Sequence, residues 1–132
     1  MNNFNYTCPH CKGHLRVSNH IIFLTKTTSG KSGLLLVNSE LGNYSVLMHP
    51  TLSYDLGEHV NFICPICYEN LDAPEYDKNL AKVIMVDEAG HESTILFSKI
   101  NGEKCTYKIA KNEVKAFGDD KSEYTSSLGD IF

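Results

Sequence analysis

Four cysteines occur in two matching short patterns whose spacing suits metal binding. Cys8-Pro-His-Cys-Lys-Gly-His-Leu15 and Cys64-Pro-Ile-Cys-Tyr-Glu-Asn-Leu71 both follow the pattern C-P-x-C-x-x-x-L. A C-x-x-C turn presents two thiolates on one side of a tight backbone loop, so each copy supplies half of a tetrahedral site. The sequence therefore predicts one metal ion, with zinc as the first choice, bound by Cys8, Cys11, Cys64 and Cys67. The leucine that closes each copy is predicted to pack beneath the site.

The paired motif resembles the zinc-ribbon superfamily, in which two zinc knuckles at hairpin tips share one zinc ion. The resemblance covers the two knuckles and the strand that leads into the second one, and it identifies a structural class but no particular family. This chain departs from the common pattern at two points. Lys12 and Tyr68 follow the second cysteines, where many knuckles have glycine. In addition, 52 residues separate Cys11 from Cys64, whereas common ribbons have about 15–20.

The long insert is compatible with one shared site. Because the entropy of loop closure grows only with the logarithm of loop length, a threefold longer loop costs about 1 kcal/mol more. A structural zinc ion contributes roughly 10–16 kcal/mol in small finger peptides. The metal contribution is much the larger, so the insert is expected to fold between the two half-sites.

Two other uses of the same cysteines remain open at this stage. C-P-H-C at Cys8 is also a motif of oxidising thioredoxin-like proteins, in which the first cysteine lies at a helix N-terminus. Residues 12–17 do not have the pattern of an amphipathic helix, and the second C-P-I-C would be unexplained in such an enzyme. A rubredoxin-like iron site would use the same four thiolates, because ligand type alone does not separate iron from zinc.

Other residues that could do chemistry are expected to have structural roles. The six histidines lack a metalloenzyme spacing and are expected at turns, strand ends and polar faces. Cys105 is predicted to be a small buried residue in a hairpin, opposite Ser98, with Leu96 opposite Tyr107. No triad, paired carboxylates or glycine-rich cofactor loop follows from the spacing, so no catalytic or cofactor-binding residue is assigned.

The rest of the chain is predicted to be mainly β. Residues 20–63 show short apolar or alternating runs between glycine-, serine- and asparagine-rich turns, which indicate a meander of about four strands. Residues 68–81 are polar and are assigned to a linker or loop. Residues 82–109 are predicted to form hairpins, one of which turns at Asn101-Gly102 because both residue types tolerate positive φ.

The predicted organisation has three parts. Residues 1–77 form a split zinc ribbon with the β insert, and residues 78–118 form a β-hairpin unit with a short helix that Asn112 caps. Residues 119–132 form a flexible acidic tail. Its last large apolar residues are expected to dock on this chain or on a partner, because each forfeits roughly 1.5–3 kcal/mol when left exposed. These residues are Leu128, Ile131 and Phe132.

Composition and charge narrow the classes of function. The chain has 132 residues, is 42% hydrophobic and carries a net charge of −4, which allows a modest core and argues against disorder. Residues 1–67 hold four bases and three acids, whereas residues 68–132 hold eight bases and thirteen acids. No basic patch of the kind that phosphate binding requires is evident, so nucleic acid is disfavoured as the main partner.

The sequence favours an interaction module over an enzyme. The first residues lack the pattern of a signal peptide, and no stretch approaches the ~18 apolar residues of a membrane helix. A cytoplasmic, reducing location is therefore expected, with few disulfides. Four thiolates leave no open coordination position, so the metal is expected to support folding. The prediction is a zinc-stabilised adaptor for an unidentified protein partner. The alternatives are a thiol redox or iron electron-transfer protein and a nucleic-acid-associated ribbon.

Overall fold

The chain folds into two antiparallel β-sheets. The structure, a computed structural model, describes residues 4–111, 113–125 and 128, and these contain ten strands and no helix. The mainly β prediction is therefore confirmed. The strands are β1 (Asn5–Thr7), β2 (Arg16–Val17), β3 (His20–Thr27), β4 (Ser32–Asn38), β5 (Val46–Met48), β6 (Val60–Ile63), β7 (Leu80–Val86), β8 (Glu92–Ser98), β9 (Thr106–Ala110) and β10 (Glu113–Phe117).

The first sheet has the strand order β1-β7-β8-β9-β10. Its last four strands follow one another along the chain, and β1 joins them from the N-terminal region, with Tyr6 opposite Met85. The register predicted from the Asn101-Gly102 turn is confirmed, because Leu96 lies opposite Tyr107. Gly102 has a φ of 100°, the conformation that favours glycine at a tight hairpin turn.

The second sheet has the order β2-β3-β4-β5, and β6 also pairs with β3. The predicted strands of residues 20–63 are present, but they do not form a simple meander. After β5, residues 49–59 return the chain to β3, where Thr25 lies opposite Phe62. This pairing places Phe62 among buried neighbours, whereas the edge strand β5 is exposed along its whole length. The return of the chain to β3 buries Val60 and Phe62 of β6.

The short helix predicted at residues 112–117 is wrong for the residues that the structure describes. Glu113–Phe117 is strand β10 and pairs with β9, while Asn112 lies outside the described residues. Val114 is less exposed than Glu113 and Lys115 on either side, which is the two-residue period of a strand. The prediction gave weight to the helix-capping signal and overlooked this alternation.

Residues 68–81 are also more ordered than the predicted linker. Leu71 and Ala73 are fully buried, and β7 begins at Leu80. Asp72 forms an isolated bridge with Ala81. Polar residues lie between the buried ones, so the sequence of this segment resembles that of a loop.

Two hydrophobic cores lie on opposite faces of the first sheet. The inter-sheet core includes Tyr6, Phe23, Phe62 and Val83, and so draws on both sheets. Across it, the Phe62 and Phe97 rings pack edge to face with centroids 4.9 Å apart. The C-terminal core contains Ala73, Leu80, Leu96, Cys105, Tyr107, Tyr124 and Leu128.

Part of the predicted flexible tail is packed in the C-terminal core. Tyr124 is 5% exposed and Leu128 is 1% exposed. The Tyr107 hydroxyl donates a hydrogen bond to the Lys121 carbonyl oxygen at 2.8 Å and accepts one from the Tyr124 amide at 3.3 Å. Leu128 therefore docks on its own chain, which was one of the two expected outcomes. The other two apolar residues of the tail lie outside the described residues.

Candidate metal centre

The four predicted cysteines converge on one cluster. Their Sγ atoms all lie within 4.8 Å of one another. The Sγ atoms of Cys8 and Cys67 are 3.8 Å apart, and those of Cys11 and Cys64 are 3.9 Å apart. A tetrahedron with metal–sulfur bonds of about 2.3 Å has sulfur–sulfur edges of about 3.8 Å. The cluster therefore has the size and the donor set that a tetrahedral thiolate-bound metal ion requires.

Each pair of cysteines lies in a loop closed by backbone hydrogen bonds. The first cysteine loop (residues 8–15) leaves β1, and the Cys8 amide donates to the Gly13 carbonyl at 3.0 Å. The second cysteine loop (residues 64–71) leaves β6, and the Cys64 amide donates to the Glu69 carbonyl at 3.0 Å. Since β1 belongs to one sheet and β6 to the other, the cluster joins the two sheets.

The two loops share a backbone conformation that explains their unusual residues. The amides of Lys12 and Tyr68 each donate to the carbonyl of the first cysteine of their loop, at 2.9 Å in both cases. Lys12 has a φ of 64° and Tyr68 a φ of 63°. Glycine is the residue that adopts this left-handed conformation at the least cost. This chain places two larger side chains in the same strained position.

Backbone amides point at the sulfur atoms in the same way in both loops. The amides of His10 and Ile66 each approach the Sγ of the preceding first cysteine at 3.3 Å. The Gly13 amide donates to Cys11 Sγ at 3.3 Å and holds the pKa of that thiol below its ordinary value. Such bonds favour the thiolate, which is the form that binds metal.

The two cysteines of each loop differ in burial. Cys8 and Cys64 are fully buried, whereas Cys67 is half-buried and Cys11 is exposed. Burial raises the pKa of the Cys8 and Cys64 thiols, so these two would be protonated without a metal ion. A bound cation would supply the charge that stabilises both thiolates at this depth.

The loops also contact each other directly. His10 Nε2 lies 3.0 Å from the Asn70 carbonyl oxygen, within hydrogen-bonding distance. A Cβ atom on Gly13 would lie 2.5 Å from Ile66 Cδ1, so the lack of a side chain allows the close approach. The sequence predicts a turn position for His10 but not this contact, because nothing in the local pattern shows which loop lies opposite.

The two leucines that close the motifs, and Cys105, are buried as the sequence predicts. Leu15 and Leu71 are 2% and 0% exposed and belong to the inter-sheet core beneath the loops. Cys105 lies in the C-terminal core, where burial raises its pKa to about 12. Among the described residues, the four-cysteine cluster is the one grouping of three or more potential ligands close enough to bind a metal ion.

Comparison with known proteins identifies no relative: no family model, curated protein or solved structure matches the chain at a significant level. Within the described part of the chain, no helix has the length and apolar character needed to cross a membrane.

Proposed function

We propose that this chain is a protein-interaction module whose fold is stabilised by one zinc ion in a split, zinc-ribbon-like site. The observation that carries the proposal is the group of four sulfur atoms, presented by two loops with matching backbone conformations. Four thiolates complete a tetrahedral shell and leave no position for substrate or water. The ion would act by holding the two sheets together.

An exposed patch on the second sheet supports the interaction role. Side chains on its outer face form a patch that we call the aliphatic face, made of Ile22, Leu24, Leu34, Leu36, Leu47 and Ile63. Strand pairing makes the patch continuous, with Leu24 between Leu34 and Ile63, and Leu36 between Ile22 and Leu47. Leu34 and Leu47 are 52% and 55% exposed. Contiguous exposed apolar patches mark interaction sites in soluble proteins.

The chemistry of this face favours a protein partner over nucleic acid. Lys26 is the basic residue of β3 that follows Leu24 on the same face, and it lies beside the uncharged Ser32 and Asn61. A single lysine does not provide the multiple phosphate contacts that nucleic-acid binding uses. The edge strand β5 adds backbone groups that could pair with an extended segment of a partner.

The zinc part of the proposal is tested by metal content. Elemental analysis of purified protein should find one zinc per chain, and Cys8→Ser and Cys64→Ser should each abolish it. Two metals per chain, iron in place of zinc, or full retention in both variants would contradict the shared zinc site. Rapid turnover in an insulin-reduction assay would favour the redox alternative.

The interaction part is tested by charging the aliphatic face. A Leu34→Glu, Leu47→Glu double variant should lose the partners captured from native lysate, or lose self-association, while keeping its zinc and melting temperature. Leu56→Glu is the matched control, because Leu56 is 88% exposed and lies outside the face. Equal capture by the wild type and both variants would contradict the assignment of this face.

A further inference from the structure

A cleft of about 320 Å³ lies between the two sheets, and none of the four clustered cysteines lines it. One wall comes from the second sheet, including Phe23 and Leu35. The opposite wall comes from the first sheet, including Val83, Ile95 and Phe97. The cleft is therefore an internal feature of the inter-sheet core, distinct from the metal centre and from the aliphatic face.

The interior of the cleft offers apolar contacts and few free polar groups. The Tyr6 hydroxyl donates to the Ser39 carbonyl at 2.7 Å, and the Tyr44 hydroxyl lies within hydrogen-bonding distance of Thr106 Oγ1, at 2.9 Å. Throughout the described residues, no buried side-chain nitrogen or oxygen lacks a hydrogen-bond partner. Ordered water needs two to four polar partners, so these walls are poorly suited to hold it.

An unfilled space of this size is costly for a small protein. Its lining atoms lose dispersion contacts on one side, and the penalty grows with cavity volume. An apolar cavity of about 150 Å³ accommodates one benzene molecule. A cleft of about 320 Å³ therefore has room for roughly two fused aromatic rings.

The lining of the cleft disfavours an anion. Its charged residues are Glu40, Lys99, Glu103 and Lys104, two acids and two bases, and Lys99 already pairs with Asp72. An anion would therefore gain no net attraction, and burying an unpaired charge against mostly apolar walls is costly. We propose that the inter-sheet cleft binds a small uncharged aromatic molecule of about two rings, with its body against Phe23 and Phe97.

The first test uses two probes that share the naphthylamine rings and differ by one sulfonate group. Zinc-loaded wild-type protein should bind α-naphthylamine at one site per chain, measured by the blue shift and increase of its fluorescence. The same compound carrying a sulfonate should bind at least tenfold more weakly. Failure of the neutral probe to bind, or equal or tighter binding of the sulfonate, would overturn the proposal.

The second test locates the bound probe. Val37 lines the cleft, so Val37→Phe should fill part of it and weaken naphthylamine binding at least tenfold. Val17→Phe is the matched control, because Val17 is 59% exposed and does not line the cleft, and it should bind as the wild type does. Equal weakening by both variants would overturn the proposal.

A third measurement does not depend on whether Val37→Phe folds. In wild-type protein, nuclear Overhauser effects should connect the naphthylamine protons with the Phe23 and Phe97 rings. Contacts confined to Leu34 and Leu47 would place the probe on the aliphatic face and contradict the assignment to the cleft.

Discussion

The metal centre and the C-terminal core join distant parts of the chain by different physical means. At the metal centre, Cys8 and Cys64 are fully buried thiols whose pKa values burial raises, so four thiolates need a cation to coexist there. In the C-terminal core, Tyr107 and Tyr124 are held by apolar packing and hydrogen bonds. One end of this small fold is therefore expected to depend on a metal ion, whereas the other is held by the chain's own side chains.

Serine substitution of the two buried cysteines Cys64 and Cys105 should show the largest difference in stability. Cys64→Ser should release the metal ion and unfold the end of the protein that holds the two cysteine loops. Structural zinc contributes roughly 10–16 kcal/mol in finger peptides, which is as large as the whole stability of a typical domain. Cys105→Ser, at a 1% exposed site in the other region, should cost only about 1–3 kcal/mol and keep the metal. Thermal melts with parallel zinc analysis measure both effects.

A chelator provides the reversible form of the same test. It should lower the melting temperature of the wild type and of Cys105→Ser alike, and added zinc should restore it. An unchanged melting temperature after complete zinc removal would show that the two regions do not differ in metal dependence.

Removing a buried tyrosine side chain from the C-terminal core should have the second-largest effect on stability. Tyr124→Ala should destabilise the protein by about 3–5 kcal/mol, the usual cost of removing a buried aromatic side chain, while the zinc content stays at one per chain. Tyr124→Phe keeps the ring but removes the hydroxyl that donates to Glu103 Oε1, and it should cost about 1.5–3 kcal/mol, the usual value for a hydrogen bond to a charged group. Denaturant unfolding measures both variants, and loss of zinc from Tyr124→Ala would show that the regions are coupled.

Alkaline pH should destabilise the C-terminal core. Burial raises the pKa of Cys105 and Tyr107 to about 12, so the folded state favours their neutral forms. Their contribution to stability is complete below the unfolded-chain values near 8.5 and 10, and it is lost as the pH rises toward 12. Tyr107→Phe should lose less stability than the wild type between pH 9 and 12, as followed by circular dichroism and tyrosinate absorbance. Parallel curves would contradict this assignment.

The smallest change in stability is expected at the left-handed positions of the two cysteine loops. Lys12→Gly and Tyr68→Gly should each raise stability by about 0.5–1 kcal/mol. Glycine removes the left-handed backbone strain, and this gain exceeds the extra backbone entropy that glycine loses on folding. Lys12→Ala keeps the strain and serves as the control. A gain in Lys12→Ala equal to that in Lys12→Gly would show that the side chain, and not the φ of 64°, sets the cost.

Short-range chemistry in the sequence predicts the candidate site well. Each C-P-x-C copy places two sulfur atoms together because the turn is a local structure, and the matching copies indicate that the two pairs share one site. The Asn101-Gly102 turn fixes the register of Leu96 with Tyr107, which is also a local effect. The features that were missed depend on contacts between distant segments. These are the return of β6 to β3, the strand β10 in place of a helix, and the packing of Tyr124 against Tyr107.

X-ray absorption at the zinc edge of the purified, zinc-loaded protein measures directly whether four sulfur atoms bind the metal. We expect four sulfur scatterers at about 2.3 Å and no nitrogen or oxygen bound to the metal. Cys11→Ser should replace one sulfur scatterer by oxygen or nitrogen, or lose the metal. A wild-type shell with fewer than four sulfur atoms, or with a bound water, would contradict a closed site made by Cys8, Cys11, Cys64 and Cys67.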